Sequence, residues 1–163
     1  MQVSENSRVW IYQSDKELTT AQTQKLQQQL NNFTQSWTAH NHQLKAAAMV
    51  KYNRFIILLV DESQAGATGC SIDKSVHLMK QLEQEYQINL FDRFNLAYQT
   101  ASGIASAPRA QFEELIKAGV IDENTIVFNN MVQTLAELQT KWEVPLKNSW
   151  HMQLFGGLLV SQL

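Results

Sequence analysis

Apolar residues recur along this chain in two rhythms, and the switches between them outline the fold. Alternation over Arg8–Gln13 predicts a first strand, broken by Ser14 and Asp15. Leu26, Leu30, Phe33 and Trp37 then fall at helical spacing among Gln, Asn and Lys, which predicts an amphipathic helix with a Gln-rich solvent side. Leu44–Tyr52 and Phe55–Val60 read as two strands around an Asn53–Arg54 turn. Ile72, Val76, Met79, Leu82 and Tyr86 carry a second helix, with Ser71 as its N-cap and Asp73 in its first turn.

Phe94–Thr100 and Gly103–Ala107 form a strand pair, and a helix over Arg109–Ala118 stops at Gly119, a residue suited to the left-handed C-terminal position. A turn at Asp122–Asn124, a short strand at Thr125–Phe128 and a capping box at Thr134–Glu137 follow, the last opening a helix that ends before Pro145. The first six elements run βαββαβ. That order predicts an α+β fold with a ferredoxin-like antiparallel sheet, extended by a C-terminal β-hairpin/helix/strand/helix segment.

Composition narrows the function. With 163 residues, 44% hydrophobic and 17% charged, the chain is expected to build one folded domain over 1–163, residues 152–163 reading as a flexible or docking tail. Thirteen scattered basic residues and a net charge of −2 leave no footprint for nucleic acid or an anionic membrane. A single cysteine and an N-terminus without signal-peptide character point to the cytoplasm. The longest apolar run, Phe55–Val60, is far shorter than the roughly 20 residues of a spanning helix.

The stretch Asp61–Ser75, DESQAGATGCSIDKS, is where chemistry is expected, because it joins the most apolar strand to a helix start. A phosphate loop fails there: its motif requires Gly where this chain has Thr68 and Asp73. Backbone amides from Gly69 to Ile72 are left as donors for a weaker anion site. Cys70 ahead of the helix is a candidate nucleophile, with His151 or His40 as base and Asp61 orienting it; His77 is about 10 Å along the helix. The alternative is a small, buried, packing Cys70. Asp61 and Glu62 alternate on a strand and do not make a dyad, and Asp61 can instead serve loop amides together with Ser63, Ser71 and Asp73. No metal-ligand spacing is present, and no cofactor is implied.

Asn148-Ser-Trp-His151 is a second cluster, in which Trp150 anchors the tail and His151 reaches the loop or faces solvent. A binding or accessory protein is therefore expected. Its small polar or anionic ligand would meet Glu62, Ser63, Gly69, Ser71, Asp73 and Trp150, with oligomerisation left open. A Cys70-dependent enzyme and a protein-interaction module are the alternatives.

The segments VWIYQSDKELT, DESQAGATGCSIDKS, NLFDRFNLAY, DENTIVFNN and WEVPLKNSWH resemble, over nearly the whole length, a family of short uncharacterised bacterial proteins often labelled "ABC transporter ATPase". The resemblance implies a bacterial protein without an assigned activity. The transporter label does not transfer, because the Walker A and LSGGQ-type motifs are absent here. Ala107–Phe128 also looks like part of a GYF-like module, without that module's aromatic-rich ligand motif.

Overall fold

The computed structural model describes residues 3–160 and has an α+β architecture in two compact units. One unit is the chain up to Asp92 with Gln133–Ala136; the other is Arg93–Val132 with the chain from Glu137 onward.

In the first unit, β1 (Arg8–Gln13) leads to α1 (Thr20–Ser36), which opens on a capping box between Thr19 and Gln22. A small hairpin, β2 (Thr38–Ala39) and β3 (His42–Gln43), is followed by β4 (Lys45–Lys51), β5 (Phe55–Asp61) and α2 (Gly69–Tyr86). The main sheet is antiparallel, in the order β1-β5-β4, with Arg8 opposite Val60 and Lys45 opposite Asp61. Every residue of β5 is buried, which explains why its sequence is continuously apolar rather than alternating. Ile56, Leu58 and Val60 pack with Leu26, Leu30 and Met79, and the Trp37 indole donates to the Ser71 carbonyl at 2.9 Å, tying the two helices together.

β1, α1, β4, β5 and α2 follow the expected βαββα order with the β2–β3 hairpin inserted, and the sixth element departs from it. β6 (Asn95–Thr100) joins a different sheet, because a tight turn closes it onto β7 (Gly103–Pro108) along its whole length. The free flank of β1 holds the returning segment: Val9 donates to the Gln133 carbonyl, Leu135 to the Ser7 carbonyl, and Arg8 bridges Thr134.

Turn chemistry accounts for two smaller differences. The β4–β5 turn centres on Tyr52 and Asn53, both at positive φ (57° and 54°), one residue before the predicted Asn53–Arg54 pair. Gln27 is not simply on a solvent face. Its carboxamide accepts from Val50 N–H at 3.0 Å and donates to the Ala48 carbonyl at 2.9 Å, covering part of the outer edge of β4 with a peptide-like group.

The second unit pairs its strands in the order β7-β6-β8-β9, with β8 at Ile126–Phe128 and β9 at Glu143–Pro145. Its helices are α3 (Arg109–Lys117), α4 (Leu135–Lys141, whose first two residues belong to the first unit) and α5 (His151–Val160). Gly119, at φ +77°, ends α3 as expected: its N–H bonds the Ile116 carbonyl while Val120 N–H bonds Leu115, a Schellman arrangement. Phe112, Ile116, Val127, Leu146 and Phe155 form the core.

The expected tail is instead helical from His151 to Val160, while 161–163 lie outside the described residues. His151, Phe155 and Leu159 are buried at i, i+4 and i+8, so packing outweighs the two glycines, 156 and 157, that weaken the helical signal. No helix among the described residues is long and apolar enough to cross a membrane.

Candidate functional site

The joint between β5 and α2 is shorter than the sequence suggests. Thr68, not Ser71, is the N-cap of α2, and Ser71 is its capping-box partner: Ser71 N–H donates to Thr68 Oγ1 at 3.3 Å, and Thr68 N–H to Ser71 Oγ at 2.7 Å. Thr and Ser can both cap an N-terminus, and with Thr68 as the cap the pair TxxS satisfies both donors, which sets the helix start three residues earlier. Gly69–Ser75 is therefore helix, and the connecting loop is 62–68.

That shift changes what the loop offers an anion. Ser71 N–H is used by Thr68 Oγ1 and Ile72 N–H by the Thr68 carbonyl, so these two of the four expected donors are consumed internally. Ser71 itself is buried, whereas Gly69 and Asp73 are exposed.

The two acidic residues serve the loop. Asp61 is buried at the end of β5, accepting from Ser63 N–H at 3.0 Å and Ser4 N–H at 3.3 Å, with Lys45 Nζ at 3.3 Å. The Ser63 hydroxyl, then the Ser63 amide, then Ser4 and Lys45 hold its carboxyl well below the usual carboxylate range, outweighing the opposite effect of burial. A carboxylate so fully engaged is a weak base and a structural acceptor. Glu62 is exposed and accepts from Ala67 N–H at 2.9 Å, closing the loop over Gly66, where a Cβ would stand 3.0 Å from Glu62 Oε2. Ser63 is exposed and orients Asp61 rather than facing a cavity alone.

Cys70 is exposed on the first turn of α2, which removes the buried-packing alternative. Among the described residues no base is bonded to it, and His77 instead meets Gln81 at 3.3 Å. His40 lies beyond the end of α1 at Ser36 and with Asn41 forms the two-residue turn of the β2–β3 hairpin, both at positive φ (49° and 64°).

His151 and Trp150 belong to the second unit. His151 is 1% exposed, its Nδ1 lies 2.7 Å from Ser149 Oγ, and its ring stacks on Trp150 at 4.1 Å and lies 6.1 Å from Phe112. Burial lowers its pKa to about 4, so the imidazole is neutral in its core. Among the described residues the Trp150 indole N–H is buried without a partner. Surface histidine is thus excluded, and the pair serves as packing around the start of α5.

The concavity beside the loop has a wall that the sequence did not reveal. A shallow groove of about 340 Å³ lies between loop residues Gln64, Ala65 and Gly66 and hairpin residues His40, His42 and Gln43. No hydrogen bond or ion pair engages the side chains of His40, His42 or Gln64 among the described residues. The signal for it was the run His40-Asn-His42: Asn at a tight turn, flanked by two imidazoles, marks a hairpin presenting polar rings. Such a wall can hydrogen-bond a ligand from both sides, since a neutral imidazole carries one donor and one acceptor. No group of three or more metal-ligating side chains exists among the described residues. No protein-family model, curated protein or solved structure matches this chain.

Proposed function

We propose that this protein binds a small polar ligand in the groove between loop 62–68 and the β2–β3 hairpin, acting as a binding or accessory protein in the reducing cytoplasm. The observation that carries the reading is the set His40, His42 and Gln64, polar side chains on one concave surface whose hydrogen-bonding capacity no other described residue uses. The anionic form of the reading has less support, because Ser71 and Ile72 spend their amides within the helix cap. A lone exposed cysteine without an internal disulfide fits the compartment.

A panel of amides, polyols, amino compounds and oxyanions, screened for a rise in melting temperature, tests it, since a ligand stabilises the state that binds it. At least one compound should raise the midpoint for the native sequence and fail to do so for His42→Ala and Gln64→Ala. An unchanged shift in both variants would place the binding elsewhere and overturn the reading.

The second reading is thiol chemistry at Cys70, favoured by its exposure on the first turn of an 18-residue helix. Rapid alkylation well below pH 8 would support it; the reactivity of an ordinary thiol would set it aside.

A further inference from the structure

A second concavity lies along the outer edge of β4, the end strand of the main sheet. It is a groove of about 530 Å³, lined by residues 43–48 and by Asn31, Thr34 and Gln35 of α1. Antiparallel pairing turns the N–H and C=O of alternate residues toward the partner strand, and those of the residues between them away from it. Gln27 identifies the outward set on β4: its carboxamide accepts from Val50 N–H at 3.0 Å and donates to the Ala48 carbonyl at 2.9 Å. Ala46, two residues before Ala48 on the same strand, therefore turns both its main-chain groups to that edge.

The two ends of the edge are occupied and its middle is open. Leu44 N–H donates to the Trp37 carbonyl at 2.9 Å, and the Leu44 carbonyl accepts from Gln43 Nε2 at 3.2 Å. Gln27 holds the other end. Among the described residues, Ala46 N–H, Ala46 C=O and Ala48 N–H have no partner, although Ala46 is only 7% exposed. Main-chain groups so enclosed are nearly always matched by another polar group.

We infer that this groove binds an extended peptide segment, which adds to the sheet as a short strand beside β4. The open groups run donor, acceptor, donor along the edge. One peptide residue returns a C=O and an N–H to Ala46, and the C=O two residues earlier meets Ala48 N–H, so three residues of an antiparallel peptide complete the edge. A second copy of β4 does not supply that set. Placed antiparallel about Ala46, it brings its Leu44 carbonyl to Ala48 N–H, and that carbonyl is already held by Gln43. Gln27 marks the limit of the site, because its side-chain amide makes the bonds that a longer strand would make with Ala48 C=O and Val50 N–H. The ligand is read through its main chain, and this site shares only Gln43 with the groove at the hairpin.

The dimethylamide of acetyl-Thr-Val-Thr-Val-Thr tests it by ¹H–¹⁵N titration of the full chain, beside the same peptide N-methylated at every residue, which keeps its carbonyls and loses its N–H donors. The parent peptide should move the Ala46 and Ala48 amides downfield and slow their exchange with solvent, while exchange at Ala47 and Met49, already paired with β5, stays unchanged. N-methylation should weaken binding by at least roughly 3- to 10-fold, the worth of one neutral hydrogen bond. Ala48→Pro removes one outward N–H at an edge position that tolerates proline, and should weaken the parent peptide by a similar factor. Equal binding of the two peptides, undiminished binding to Ala48→Pro, or shifts that bypass Ala46 and Ala48 overturn the inference. Self-association without peptide that protects these same amides assigns the edge to a second copy and overturns it as well.

Discussion

Acidification should weaken the second unit through one residue, His151. Buried against Trp150 and Phe112, its imidazole ionises only near pH 4, whereas in the unfolded chain it does so near 6.5. Between those values the unfolded state binds the extra proton, so stability is full above about pH 6.5 and falls as pH drops toward 4. A gap of this size corresponds to roughly 3 kcal/mol in total, of which about 2 kcal/mol should be lost between pH 7.5 and pH 5. Asp61 acts in another window: its carboxyl is held low, so the stability it lends is present above its unfolded value near 4 and lost only below it. The other three histidines, His40, His42 and His77, are exposed.

Urea denaturation followed at pH 7.5, 6.5, 5.5 and 5.0 by amide exchange of α5 reads this directly. The native chain should lose stability steadily across the series. The double variant His151→Phe/Ser149→Ala, which removes the imidazole together with the hydroxyl it engages, should be nearly flat over the same range. An equal slope in both proteins, or a ¹³C-imidazole titration of His151 near 6.5, would refute the burial argument.

Other outcomes follow from the local geometry. Gly157 sits exposed within α5 with open space where a Cβ would stand, so Gly157→Ala should stabilise by about 0.5–1 kcal/mol in thermal denaturation. Thr68→Ala removes the N-cap of α2 and should cost about 1 kcal/mol, with Ser71→Ala costing more than its own hydroxyl because it also strands Thr68 N–H. Cys70 should react fully with a thiol reagent in the folded protein, without denaturant; protection in the native state would contradict its exposure.

Long periodic segments were legible from the sequence because their cause is local. The apolar stripe Leu26, Leu30 gave α1, and the unbroken run Phe55–Val60 gave the central strand. Partnership between strands was not legible in the same way. β6 could have lain beside β1, and its pairing with β7 and β8 depends on tertiary choices that no residue of Asn95–Thr100 encodes alone. The α5 helix was masked by Gly156 and Gly157, whose weak propensity hides a stripe visible only when His151 is counted as a core residue.

At the candidate site, the loop was found and its wall was not. Asp61 and Glu62 correctly marked the end of β5, but their partners turned out to be loop amides, Ser63 for one and Ala67 for the other. The hairpin at His40 and Asn41 has strands of two residues each, too short to leave a periodic trace, so only the Asn turn and the paired imidazoles could have announced it.

Occupancy of the hairpin groove is tested most directly by a crystal soaked with the panel compound that raises the melting temperature most. Electron density for that compound is predicted between the loop and the hairpin, hydrogen-bonded to His42 and Gln64. An empty groove in a crystal where this face is open to solvent and the compound is bound elsewhere would contradict it.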